Sequence, residues 1–178
     1  MGDDMTAANP LTPNDFSGDV NVISARVAPI RRSFLVRVRT EGRDDLGQQV
    51  KRVIARGGEP CRDVLRRAQP GEELILASYS PFANPGPYKE YGPIFVLAEE
   101  SSEPIRHDAL QAGSESNYLR AQFAIRAYSN QEEIIDAVLV DARSGQSVVD
   151  NFFARTDVAF LHVRFPTYGC FACRFDRT

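Results

Sequence analysis

VAFLHVRFPTYGCFACRFDRT (158–178) closes the chain, and within it two runs, VAFLHVRF and CFACRFD, flank the tetrapeptide PTYG. Short apolar and aromatic runs joined by Pro and Gly are the pattern of a β-hairpin. With PTYG as a four-residue loop, Phe165 faces Cys170 and, counting outward, His162 faces Cys173. Side chains alternate along a strand, so Cys170 and Cys173 are expected on opposite faces with Cα atoms about 10 Å apart. A disulfide needs Cα atoms within about 7 Å. A redox Cys-x-x-Cys sits at a helix N-terminus and a zinc Cys-x-x-Cys on a tight turn, and neither geometry survives in an extended strand. The pair therefore reads as a coincidence of spacing. A Cys₃His zinc set of Cys61, His162, Cys170 and Cys173 would need the chain after Gly169 to turn instead of extending, so no metal or other cofactor is expected.

Working outward, the same logic finds more strands. NVISARVA, SFLVRVR, ELILASY, IFVLAEE, YLRAQFAIRAY and EIIDAVLVD all have strand character, and in SFLVRVR Phe34, Val36 and Val38 alternate with Leu35, Arg37 and Arg39. Helical spacing appears in three places. Leu46, Val50, Val53 and Ile54 are stopped by Gly57-Gly58. PCRDVLRRAQPG starts at Pro60, which suits a first helical position, and stops at Pro70-Gly71. Ser147 and Asp150 resemble a capping box ahead of a Val148, Val149, Phe152, Phe153 stripe. Strands outnumber helices and most links are short, which implies an α+β fold: a mainly antiparallel β-sheet, two or three short helices packed against it, and a C-terminal β-hairpin. Residues 1–18 read as a flexible N-terminal leader and residues 19–178 as a single globular α+β domain.

Composition narrows the function classes. With 43% apolar and 25% charged residues among 178, the chain can bury a core without metal or disulfide support. Three cysteines make an odd count and no apolar leader is present, so reduced thiols and a cytoplasmic location are expected. A net charge of −3 argues against a nucleic-acid partner, and the short apolar runs argue against a membrane. The basic stretch Arg26, Arg31, Arg32, Arg37 and Arg39 alternates with apolar residues and reads as a solvated strand face. No phosphate loop, HExxH, GxSxG or dinucleotide fingerprint is present.

GGEPCRDVLRRAQPGEELILASYSPF, PYKEYGPIFV, FAIRAY and VAFLHVRFPTYGCFACRFDR together resemble the bacterial domain of unknown function 1203 family over roughly residues 40–178. The resemblance implies a single-domain, often stand-alone chain and carries no assigned activity. Its matching positions are Pro60, Cys61 and Arg62, the Pro-Tyr…Gly-Pro-Ile-Phe loop and strand, His162, and Gly169-Cys170.

The residues themselves suggest one site. Cys61 at a helix start beside Arg62 would have a lowered thiol pKa, with His162 as its base. Equally, Cys61, Val64, Leu65 and Ala68 have the spacing of a buried stripe, and a lone His162 in an apolar strand is commonly a core residue. Tyr79, Tyr88 and Tyr91 bracket a long Pro-rich loop and, with Arg62, offer hydroxyl and guanidinium donors. The expectation is a small-molecule, anionic ligand held between the Cys61 helix start, the 80–93 loop and the C-terminal hairpin. There Cys61 and His162 would be catalytic and Arg62, Tyr79, Tyr88, Tyr91 and Cys170 ligand-binding. A non-catalytic protein-interaction domain with structural cysteines is the alternative.

Overall fold

The structure is a computed structural model that describes residues 25–105 and 118–178. The expected leader, residues 1–18, lies outside them. Among the described residues the chain runs β1 (Ala25–Ala28), α1 (Arg32–Thr40), β2 (Lys51–Ile54), β3 (Pro60–Cys61), β4 (Arg66–Arg67), β5 (Glu73–Tyr79), β6 (Gly92–Leu97), β7 (Gln122–Tyr128), β8 (Ile134–Asp141), α2 (Gly145–Ala154), β9 (Phe160–Arg164) and β10 (Phe171–Arg177). The strands form two five-stranded sheets, β1-β10-β9-β7-β8 and β2-β5-β6-β3-β4. Every pairing is antiparallel except the short parallel contact of Cys61 with Phe95. An α+β architecture with mainly antiparallel pairing is therefore present, divided over two sheets where one was expected.

Each sheet buries an apolar face under a helix, because period-two alternation leaves one face of every strand dry. In the first sheet Phe123, Ile125, Leu161, Val163 and Phe175 meet Val148, Val149, Phe152 and Phe153 of α2. In the second, Ile75, Ala77, Tyr79, Ile94 and Val96 meet Phe34 and Val38 of α1. The opposite face of β5 and β6 packs Leu74 and Leu97 against Cys61, Val64 and Ala68.

Three local expectations are corrected. Phe34–Val38 is helical, and the alternating pattern misled because residues i and i+4 share a face in both a strand and a helix. Phe34 and Val38 are fully buried, whereas Val36, which a strand would have placed beside them, is exposed. The expected helix over 46–54 is a turn followed by β2. Asp44 explains it: its buried carboxylate accepts the N–H groups of Leu46, at 2.9 Å, and Gln48, at 2.8 Å, a local turn that competes with helix formation. The expected helix at Pro60 is the β3–β4 hairpin. Arg62 N–H donates to Phe95 O at 2.9 Å across to β6, and Leu65 turns the chain with φ of 54°. The stripe Cys61, Val64, Leu65, Ala68 is nonetheless buried throughout. Helix α2 carries its expected stripe, but Ser144 precedes it, and Ser147 lies inside it, donating to Ser144 O.

The C-terminal strands pair antiparallel, with Phe165 N–H donating to Cys170 O at 3.0 Å. Between Phe171 and Cys173 the register slips by one, so Cys173 pairs with Val163, and His162 pairs with Arg174. This bulge corrects the expectation that His162 faces Cys173. It also turns Ala172 and Cys173 both toward the α2 core, and Cys170 packs against the edge of the same cluster, so the two sulfurs are not sent to opposite faces. All three cysteines are free thiols.

Candidate functional site

The β3–β4 hairpin, the start of β6, the segment leading into β7 and the β9–β10 turn enclose a cleft of about 840 Å³. That lies within the roughly 300–1,000 Å³ of small-molecule sites. Four arginines border it, Arg56, Arg62, Arg67 and Arg120, and Glu59 is the one carboxylate in its described lining. Glu59 is already engaged: it accepts the N–H groups of Arg56 and Gly57, each at 2.9 Å. Slight burial opposes its ionisation, but those backbone donors hold it below the usual carboxylate range.

Arg62 forms the inner wall. It follows β3, and its backbone is fixed by the bond to Phe95, so its side chain runs under the β9–β10 turn. Only 4% of it is exposed. Nε donates to Phe171 O at 3.0 Å and Nη1 to Pro60 O at 2.6 Å, while Nη2 has no acceptor among the described residues, and the residue borders the cleft. Burial lowers its pKa, yet a guanidinium stays charged in proteins. Arg67, on β4, donates through Nη1 to Gly58 O at 2.8 Å and through Nη2 to Tyr118 O at 2.5 Å, and its buried Nε has no hydrogen-bond partner among the described residues. The two guanidinium carbons lie 5.2 Å and 5.0 Å from the centroid of one ring, Phe165.

No carboxylate among the described residues pairs with Arg62 or Arg67. Neighbouring arginines are treated differently. Arg66, whose side chain alternates to the other side of β4, is forked by Glu72 and Glu103. Arg31 and Arg37 share Asp45, and Arg39 pairs with Asp63 at 2.7 Å. Carbonyl acceptors satisfy hydrogen bonds but leave a full positive charge, and an unpaired charge removed from water is costly.

The expected site residues separate. Arg62 and Cys170 border the cleft. Cys61 lies on β3 and not at a helix start, with no exposed surface, and its Sγ is 3.8 Å from Glu59 O. Burial and Asp63 push its thiol up to about 12, opposite to the expected lowering. His162 packs elsewhere, inside a cage of Phe82, Tyr128, Phe160 and Phe171 rings with centroids 4.7–5.2 Å away. Neither ring nitrogen has a hydrogen-bond partner among the described residues, and burial, then Arg174 and Arg126, hold its pKa well below the ordinary value. Cys61 and His162 thus sit in separate parts of the core, and no hydrogen bond joins them.

Tyr79 is buried between Phe34 and Phe171. Tyr88 and Tyr91 are half exposed and outside the cleft lining. The 80–93 loop reaches the site through Pro93, and through Glu90, which pairs with buried Arg164; Arg164 also donates to Gly169 O at 2.9 Å and so braces the turn that forms the cleft rim. Reading the sequence missed Arg67, Arg120 and Phe165. Arg67 carries no signal beyond being the second of two adjacent arginines, and Arg120, which borders the cleft, has a left-handed backbone, φ 62°, that its sequence does not announce.

The cysteines and arginines around the cleft fall almost entirely within a recognisable segment. The family model described as protein of unknown function (DUF1203) matches residues 58–177, which include Arg62, Arg67, Arg120, Phe165 and Cys170. No curated protein matches the chain, and no solved structure does. No helix among the described residues is long and apolar enough to cross a membrane.

Proposed function

We propose a function for a chain that belongs to the DUF1203 family, that of binding a small anionic molecule in the cleft beside Arg62 and Arg67. The observation that carries this reading is the pair of guanidinium groups beside one ring, satisfied by carbonyl oxygens and lacking a carboxylate among the described residues. A bound oxyanion would supply the missing charge, accepting from Arg62 Nη2 in a partly desolvated wall where charge-assisted hydrogen bonds are strongest. The flanking Arg56 and Arg120 would add a field that draws anions toward the opening. Phe165, whose ring centroid lies 5.2 Å and 5.0 Å from the two guanidinium carbons, gives both groups a common apolar neighbour. On this reading Arg62 and Cys170, which border the cleft, would lie beside the ligand, and Arg67 would take the role expected of the tyrosines.

Thermal unfolding in a panel of organic and inorganic anions at fixed ionic strength tests the reading. An anion present at about tenfold its Kd adds about 1.4 kcal/mol of stability, which is about 3–6 °C in a chain of this size. Arg67→Gln, with its side chain half-buried at the rim, is expected to lose most of that shift. If every anion leaves the midpoint where sodium chloride leaves it, the reading is wrong.

A further inference from the structure

The walls around the paired guanidinium groups specify more than charge. Pro60, Pro93, Phe95, Leu119, Phe165 and Pro166 all border the cleft. Three of these are prolines, which bring no N–H, so those stretches of wall offer apolar surface and few donors. Positive charge is concentrated where Arg62 and Arg67 meet Phe165. At the rim, the Tyr168 ring stands 84% exposed on the turn braced by Arg164. A small hydrated oxyanion would meet the guanidinium corner and leave the remaining apolar wall wet, which forfeits the burial that such surface provides.

We propose that the ligand is an amphipathic oxyanion, with a single anionic head at Arg62 and Arg67 and an apolar body lying along the proline and phenylalanine walls toward Tyr168. This rests on the anion-binding reading above and adds to it the chemical class of the molecule. The cleft volume of about 840 Å³ accommodates a body of drug-like size.

Titration calorimetry with straight-chain carboxylates from acetate to decanoate, each below its micelle concentration, tests the class. Each methylene buried in an apolar wall is worth about 0.8 kcal/mol, so affinity is expected to rise about three- to fourfold per carbon and then level off where the chain leaves the cleft. Tyr168→Ser, at an exposed position, is expected to weaken the longer acids several-fold and leave acetate unchanged, whereas Arg67→Gln weakens every acid by a similar factor. Short anions that bind with no gain from added carbons overturn the amphipathic assignment and leave the anion reading standing. A flat response to every carboxylate, with inorganic phosphate also silent, removes both.

Discussion

The ring cage around His162 and the cleft wall around Arg62 bury nitrogen bases to nearly the same depth, 0% and 4% exposed, and neither has an acidic partner among the described residues. They resolve the difficulty in opposite ways. An imidazole can give up its proton, and His162, enclosed by four rings and flanked across the sheet by Arg126 and Arg174, is held neutral. A guanidinium cannot, so Arg62 keeps its charge and collects carbonyl oxygens instead. A buried base that can be neutralised needs no ligand. One that cannot leaves an unmet electrostatic demand, and in this molecule that demand borders a cleft.

The comparison breaks most visibly at Arg62. Arg62→Ala orphans Phe171 O and Pro60 O in a buried wall, and about 2–3 kcal/mol of stability is expected to go with them. Urea unfolding of the ligand-free protein reads that loss, and an unchanged midpoint would mean that the carbonyl network does not hold the turn. At His162 the effect is smaller and depends on pH. Its folded pKa lies below the unfolded value of about 6.5, so the unfolded chain binds the extra proton. The stability this contributes is complete above about pH 6.5 and declines as pH falls toward the folded pKa. Between pH 6.5 and 5.5 the loss is about 1 kcal/mol, from the linkage slope of about 1.4 kcal/mol per pH unit at full protonation of the unfolded side chain. His162→Leu is expected to flatten that part of the curve relative to the parent chain. Parallel curves would show that His162 is not held neutral.

How far the sequence carried the fold depends on whether local pattern and tertiary context agree. The strands at 73–79, 92–97, 122–128 and 134–141 were legible because alternation and burial coincide there. Phe34 to Val38 was not, since i and i+4 are on one face in either conformation. Pro60 to Ala68 displayed a helical stripe that is buried as a hairpin, because Arg62 spends its amide on β6 and Asp63 takes the N–H of Leu97. In the final hairpin one bulged residue, Ala172, moved His162 off Cys173, and no feature of FACRF announces it.

The residues around the cleft were legible only in part. Arg62 and Cys170 were chosen from local context, a helix start and a hairpin end, and both border the cleft although the helix start is a strand. Arg67 joins them only because β4 alternates Arg66 toward Glu72 and Glu103 and its neighbour toward Phe165, a division that requires the paired strand to exist first. Cys61 was attractive as a thiolate only while it stood at a helix start; in a strand, fully buried, the same residue packs.

The most direct test of an unmet charge at Arg62 and Arg67 is a crystal structure of the protein soaked with 4-bromobenzoate, whose bromine locates the ligand independently of the model of its carboxylate. The carboxylate is expected about 2.7–2.9 Å from Arg62 Nη2, with the ring along the Pro93 and Pro166 walls and the bromine toward Tyr168. An empty cleft at saturating ligand, or a bromine bound only elsewhere on the surface, would contradict the account.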